Sequence, residues 1–327
     1  MSVNSVAMTD LSDDIQYLKF LNGPRCVFLK HLVNARGVGV VPRHTWAALV
    51  GCDDKFLKVL LDKLDENGNE AFQSLNAVVR AMLKRWLNTE ELSMSSIHDG
   101  LDDEKNTTSE SNDDDDDVCI STILDQARRR DASKCAISSY SPSMLCEICP
   151  DHLLRSPATG RSSSFWKYLE IFWEHRRVKA WKRPIFADPE SLEVADTMRN
   201  YITLSPVLRK YWEWGYFALR PNPNNIVNKH ELKVQFVWLP QQNHSWEELV
   251  STDLLPPVAE RKAVAELVGF QSEQFKDLKS GDWITLTTPD PERLPLPSWE
   301  LLELRGALTA LVRMAGNLES AKECDKV

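Results

Sequence analysis

The 327-residue chain is 43% hydrophobic and 27% charged, the balance of a globular protein with one large or two modest cores. No run reaches the roughly eighteen apolar residues of a membrane span, so no membrane partner is expected. The first fourteen residues carry neither a basic flank nor an apolar stretch, which argues against a secretory signal. Seven cysteines, an odd number, favour reduced thiols in an intracellular protein, with nucleus and cytoplasm not distinguishable. The net charge of −9 misleads about partners, because residues 99–117 hold ten acidic residues and one lysine and leave the rest near neutral. Residues 161–240 contain thirteen Lys/Arg against eight Asp/Glu. A basic middle behind an acidic tract is compatible with nucleic acid binding.

Residues 1–90 read as a helical N-terminal region. Segments at 15–21 and 27–35 stop near Gly23-Pro24 and Gly37, and a short one around Trp46 stops at Gly51. The strongest pattern comes next: Phe72, Leu75, Val79, Met82 and Trp86 recur at steps of three and four on one helix face. Asp65-Glu66-Asn67-Gly68 looks briefly like a calcium loop, but that register puts Lys63 first and Ser74 last, so the ligands fail. Residues 91–118 are dominated by Ser, Thr, Asn, Asp and Glu and read as an acidic disordered linker. From residue 119 the chain turns aromatic, with six of the eleven tryptophans between Trp166 and Trp238. Ser162, Ser163 and Ser164 offer caps for a helix over residues 165–181. The alternation Leu232, Val234, Phe236, Trp238 predicts a half-buried strand, and residues 283–287 another. Ser298 caps a C-terminal helix running towards Gly316. Helices and short strands without βαβ alternation predict an α+β fold.

Over residues 135–316 the segments fall in a recognisable order. It runs Cys135-Ala136-Ile137-Ser138, Ile148-Cys149-Pro150, Phe165-Trp166 with Phe172-Trp173, and Asn200-Tyr201-Ile202-Thr203-Leu204-Ser205. Then come Trp212-Glu213, Phe217-Ala218-Leu219-Arg220-Pro221, Ser280-Gly281-Asp282 and Leu294-Pro295-Leu296-Pro297-Ser298. This succession resembles the fungal HNH-nuclease-like proteins, and on that basis residues 119–320 are expected to form a domain containing a ββα element, a hairpin plus a helix. The resemblance implies one divalent metal, a histidine before Ile-x-Pro as general base, an asparagine positioning that segment, and a second histidine after a Leu-Ser segment helping to hold the metal. Here the first histidine is replaced by Glu147, the asparagine is Asn200, and the second histidine falls on Arg209. A guanidinium stays protonated, has no free lone pair and repels a cation, so the hydrolytic metal centre is disfavoured.

Three functions are expected from these residues. The first is a catalytically impaired HNH-like protein acting by binding nucleic acid or a protein partner. The second is an active metal-dependent endonuclease, with Glu147 or His152 as base, Asn200 orienting it, and Glu147 and Glu213 as metal ligands. The third is a scaffold recruited to a small-molecule tailoring reaction. Cys135, Cys146, Cys149 and His152 have the residue types of a structural zinc site, with small buried packing residues as the alternative. Arg176, Arg177, Lys182, Arg183, Arg209 and Lys210 are candidates for a phosphate backbone, with Trp173 and Trp181 stacking on bases. The alternative there is a helix with a buried aromatic face and a solvated basic one.

Overall fold

Proline at position 42 and Ser298 mark where two helices begin, and the packing of those two helices organises most of the molecule. The computed structural model describes residues 39–67, 69–88, 114–154, 161–188, 192–195, 197–221, 228–239, 244–251 and 278–316, and among them the chain is α+β. The segments at 15–21 and 27–35 lie outside these residues, as does the acidic linker up to residue 113.

In chain order the elements are β1 (Val40–Pro42), α1 (Arg43–Gly51), α2 (Asp54–Asn67), α3 (Asn69–Trp86) and α4 (Asp114–Arg130). Next come β2 (Met144–Glu147), α5 (Arg161–Phe172), α6 (His175–Lys182), β3 (Phe186–Asp188), β4 (Glu193–Val194) and β5 (Tyr201–Leu204). The last are α7 (Pro206–Glu213), β6 (Phe217–Pro221), β7 (Glu231–Trp238), β8 (Leu249–Ser251), β9 (Trp283–Thr287) and α8 (Trp299–Ala315). Among the described residues all strand pairing is antiparallel: β1 with β8, β2 with β5, β3 with β4, and a three-stranded sheet in the order β6-β7-β9. The predicted alternation in β7 is present, with Leu232, Val234, Phe236 and Trp238 buried.

Helix α8 explains the shape of the core. Its Leu301, Leu302, Leu304, Leu308 and Leu311 are buried, and it packs on α1, α3, α6 and β6. The Ser298 hydroxyl accepts from the Leu301 N–H, capping it as the sequence suggests. A Cβ at Gly51 would collide with the Leu311 side chain, so the end of α1 and α8 meet at van der Waals contact. Residues from Val41 to Trp86 and from Cys135 to Ala315 form one continuous hydrophobic cluster. The helices before the acidic tract therefore share a core with the aromatic region after it. Strand β1 secures this by pairing with β8, with Arg43 bonded to Glu248 at 3.2 Å and the His44 ring to the Trp246 carbonyl at 2.8 Å.

Two local expectations need correction. The acidic linker does not extend to residue 118, because α4 starts at Asp114; Arg128, Arg129 and Arg130 in its last turn suit the helix dipole. The single helix over 165–181 is two helices. The chain breaks at Glu174 because the Asp53 carboxylate accepts its backbone N–H at 2.8 Å, and Ser162 and Ser163 lie inside α5 rather than capping it.

Because the core is shared, Leu311→Ala is expected to cost roughly 2–5 kcal/mol in urea unfolding. The loss should appear in one transition for α1–α3 and for the β6-β7-β9 sheet. Separate unfolding of the N-terminal helices would contradict the shared core.

Candidate functional site

Strands β2 and β5 pair in register from Met144 opposite Leu204 to Glu147 opposite Tyr201. Leaving β5, the chain enters α7 through Ser205, whose hydroxyl accepts from the Leu208 N–H, and through Pro206, whose missing N–H costs nothing in a first turn. The result is two antiparallel strands and a helix, with a long excursion of α5, α6, β3 and β4 between the strands.

Asn200 joins the open end of this hairpin. Its Oδ1 accepts from the Cys149 N–H at 2.8 Å, its Nδ2 donates to the Cys149 carbonyl at 2.9 Å, and its own carbonyl accepts from the Ile148 N–H at 2.8 Å. Asn200, Ile148 and Cys149 are all buried, so the side chain amide imitates one further rung of the sheet. On the outer side of β5, the wholly buried Arg130 forms a two-pronged ion pair with Asp131 at 2.7 and 2.9 Å. It also donates to the carbonyls of Met198, Tyr201 and Pro295. Asp131 in turn accepts from the Thr203 N–H and hydroxyl.

Glu147 ends β2 half-buried. Its Oε2 accepts from the Asp151 N–H at 2.9 Å, capping the short turn Asp151–Leu153. Burial pushes its carboxyl above the ordinary value, opposed by that N–H. Arg209 lies on α7 with its Nε 2.6 Å from Glu213 Oε1, one helical turn on, and its guanidinium against the Met144 sulfur. The bond to Glu213 raises the Arg209 pKa further. His152 faces the N-terminal helices, where its Nε2 donates to the Arg85 carbonyl at 2.8 Å in the last turn of α3.

The structure thus brings Glu147, Asn200, Arg209 and Glu213 into one ββα element but commits each to a partner within the chain. His152 is committed elsewhere. Cys146 and Cys149 are buried, and desolvation pushes the Cys146 thiol up to about 12 and the Cys149 thiol higher, so both stay protonated at neutral pH. The Cys135 sulfur accepts from the Ser138 N–H. Among the described residues no three His, Cys, Asp or Glu side chains converge as metal ligands do.

Of the candidate phosphate contacts, Arg177 bridges Asp53 at 2.8 Å and Glu303 at 3.0 Å, and Lys182 is buried against Glu170 at 2.9 Å. Arg176 is exposed beside Glu174, and Arg183 and Lys210 are exposed. Trp173 and Trp181 are 3% and 0% exposed, so neither can stack on a base.

Sequence reasoning missed Arg305. It sits on α8 with its guanidinium buried, donating to the Ile148 carbonyl at 3.0 Å, the Glu147 carbonyl at 3.4 Å and the Trp212 carbonyl at 2.8 Å. It stacks 4.2 Å over the Trp212 ring. Burial lowers its pKa to about 10, which leaves it charged at neutral pH. The signal was present: Arg305 interrupts the stripe Leu301, Leu304, Leu308 at a position that should be apolar.

Comparison with protein families, with characterised proteins and with solved structures yields no match.

The environment of Glu147 fixes a pH dependence. A carboxyl whose folded pKa exceeds its unfolded one contributes stability below the unfolded value and loses it as pH rises through the folded value. Glu147→Gln keeps an acceptor for Asp151 but cannot ionise. The variant should match the wild type in melting temperature below about pH 4, near the unperturbed carboxyl range, and exceed it at neutral pH. Equal melting temperatures at neutral pH would refute the burial argument.

Proposed function

We propose that the chain carries a degenerate HNH-like ββα module that has kept the frame, lost the hydrolytic metal centre, and acts by binding a macromolecular partner. The observation that supports this most is the presence together of a fully bonded Asn200 and of Arg209. Asn200 holds the Ile148-Cys149 segment in place, while the position implied for a metal-holding histidine is a guanidinium closed on Glu213. A divalent ion does not fit these residues. It would face a fixed positive charge at Arg209, and the Glu147 carboxylate would have to give up the Asp151 N–H.

A protein partner is favoured over nucleic acid. Four of the six candidate cations, Arg176, Arg177, Lys182 and Arg209, sit in ion pairs within the chain, and the two tryptophans that would stack on bases are buried. The ββα element instead exposes Met144 and, at the C-cap of α7, Trp214, the latter 51% exposed, and both are residue types enriched at protein interfaces. Among the described residues no helix is long and apolar enough to cross a membrane.

The test is a cleavage assay on supercoiled and single-stranded DNA with Mg, Mn, Ni or Zn, alongside calorimetry of metal uptake. No cleavage and no stoichiometric uptake are expected. Metal-dependent cleavage abolished by Glu147→Gln would overturn the reading, and salt-sensitive DNA retention lost in Lys210→Glu would move the partner to nucleic acid.

A further inference from the structure

We propose that the guanidinium of Arg305 is the fixed cation of the ββα element, making from within the chain the link between the end of β2 and α7 that a bound metal ion would otherwise make. The hydrogen bonds define the link. One terminal nitrogen donates to the carbonyls of Glu147 and Ile148, where β2 ends, and the other donates to the carbonyl of Trp212, where α7 ends. The charge arrives on α8, more than 150 residues away in sequence from the strand it holds.

The surroundings suit a guanidinium better than a metal ion. The charged and thiol groups around Arg305 are Cys146, Cys149, Glu147 and Glu213, drawn from β2, the turn after it, and α7. These are the side chain types that bind divalent ions. None of them forms a hydrogen bond to the guanidinium; its acceptors are backbone carbonyls, which need no deprotonation. The faces of Trp212 at 4.2 Å and Trp86 at 5.9 Å supply the remaining stabilisation, since an aromatic face attracts a desolvated cation. A planar fork with donors in two directions suits carbonyls on two different elements, and an ammonium does not reproduce it. Trp86 also brings α3 to the same point, so the N-terminal helices, the hairpin and α8 meet around one charge.

Only the comparison with a metal rests on the functional reading above; the link itself does not. The test compares wild type, Arg305→Lys and Arg305→Met in the full chain. Thermal unfolding is recorded in EDTA and with added Zn, Ni or Mn, and hydrogen exchange is followed by peptide. Wild type is expected to melt at the same temperature, within about 1 °C, in chelator and in metal. Arg305→Lys should melt at least about 5 °C lower. In that variant, exchange should accelerate in peptides spanning Met144–Glu147 with the next three residues and Pro206–Glu213, while Glu231–Trp238 stays protected. A generic packing role would loosen all three together and would overturn the proposal, as would a lysine variant indistinguishable from wild type. A wild type destabilised by EDTA or stabilised by a stoichiometric metal would overturn it as well, because a metal would then be the cation. Should Arg305→Met fail to fold, the lysine variant and the wild-type arms still decide. Metal-dependent cleavage by a protein whose melting ignores metal would sink the functional reading and leave Arg305 in its role.

Discussion

Four residues in each of two strands are too few to hold a hairpin whose strands are separated by more than fifty residues of chain. The Asn200 amide makes up the deficit. By bonding both the N–H and the carbonyl of Cys149, it extends the ladder past Glu147 without a further strand, and it fixes where β2 ends. Everything nearby takes its position from that end point. Glu147 can cap the following turn, the carbonyls of Glu147 and Ile148 face Arg305, and His152 is carried round to α3. Buried amides of this kind are stabilising only when fully paired, because each unpaired polar group costs about 1–3 kcal/mol.

The same economy joins the rest of the molecule. Asp53 stops α5 through the Glu174 N–H and pairs with Arg177, which reaches Glu303 on α8; the Trp181 indole donates to that same carboxylate at 2.7 Å. A surface pair of this composition would contribute little, but here each carboxylate oxygen has its own donor and the partners are half-buried. The polar connections therefore run between elements distant in sequence, across a core that is mostly tryptophan, phenylalanine and leucine.

Much of this was legible in the sequence where a period or a cap carries the information. The face of α3, the alternation of β7, the cap at Ser298 and the α+β class all follow from spacing, and the structure has them. What spacing does not encode is which polar groups meet. The break at Glu174 depends on Asp53, over a hundred residues earlier, and no local signal places it there. Basic residues on α6 read as solvated because a helical wheel cannot show that Lys182 has a buried carboxylate opposite it. Arg130 is the third member of an exposed-looking triplet, yet its side chain is completely enclosed. For the candidate site, the residues at the key positions were identifiable by their order, but their commitments to one another were not.

Strand β1 pairs with β8, α3 is held by His152 and α4 by Arg130, so both flanks of the acid-rich stretch are anchored in a single core. The described residues up to Asn88 and those from Asp114 onward therefore belong to one folded body. Closure entropy grows only with the logarithm of loop length, about 0.6 kcal/mol for each doubling. The length and composition of the acid-rich stretch between them can drift over many substitutions, insertions and deletions with little effect on stability. A cut through it would leave two pieces still bound to each other by the surfaces they share.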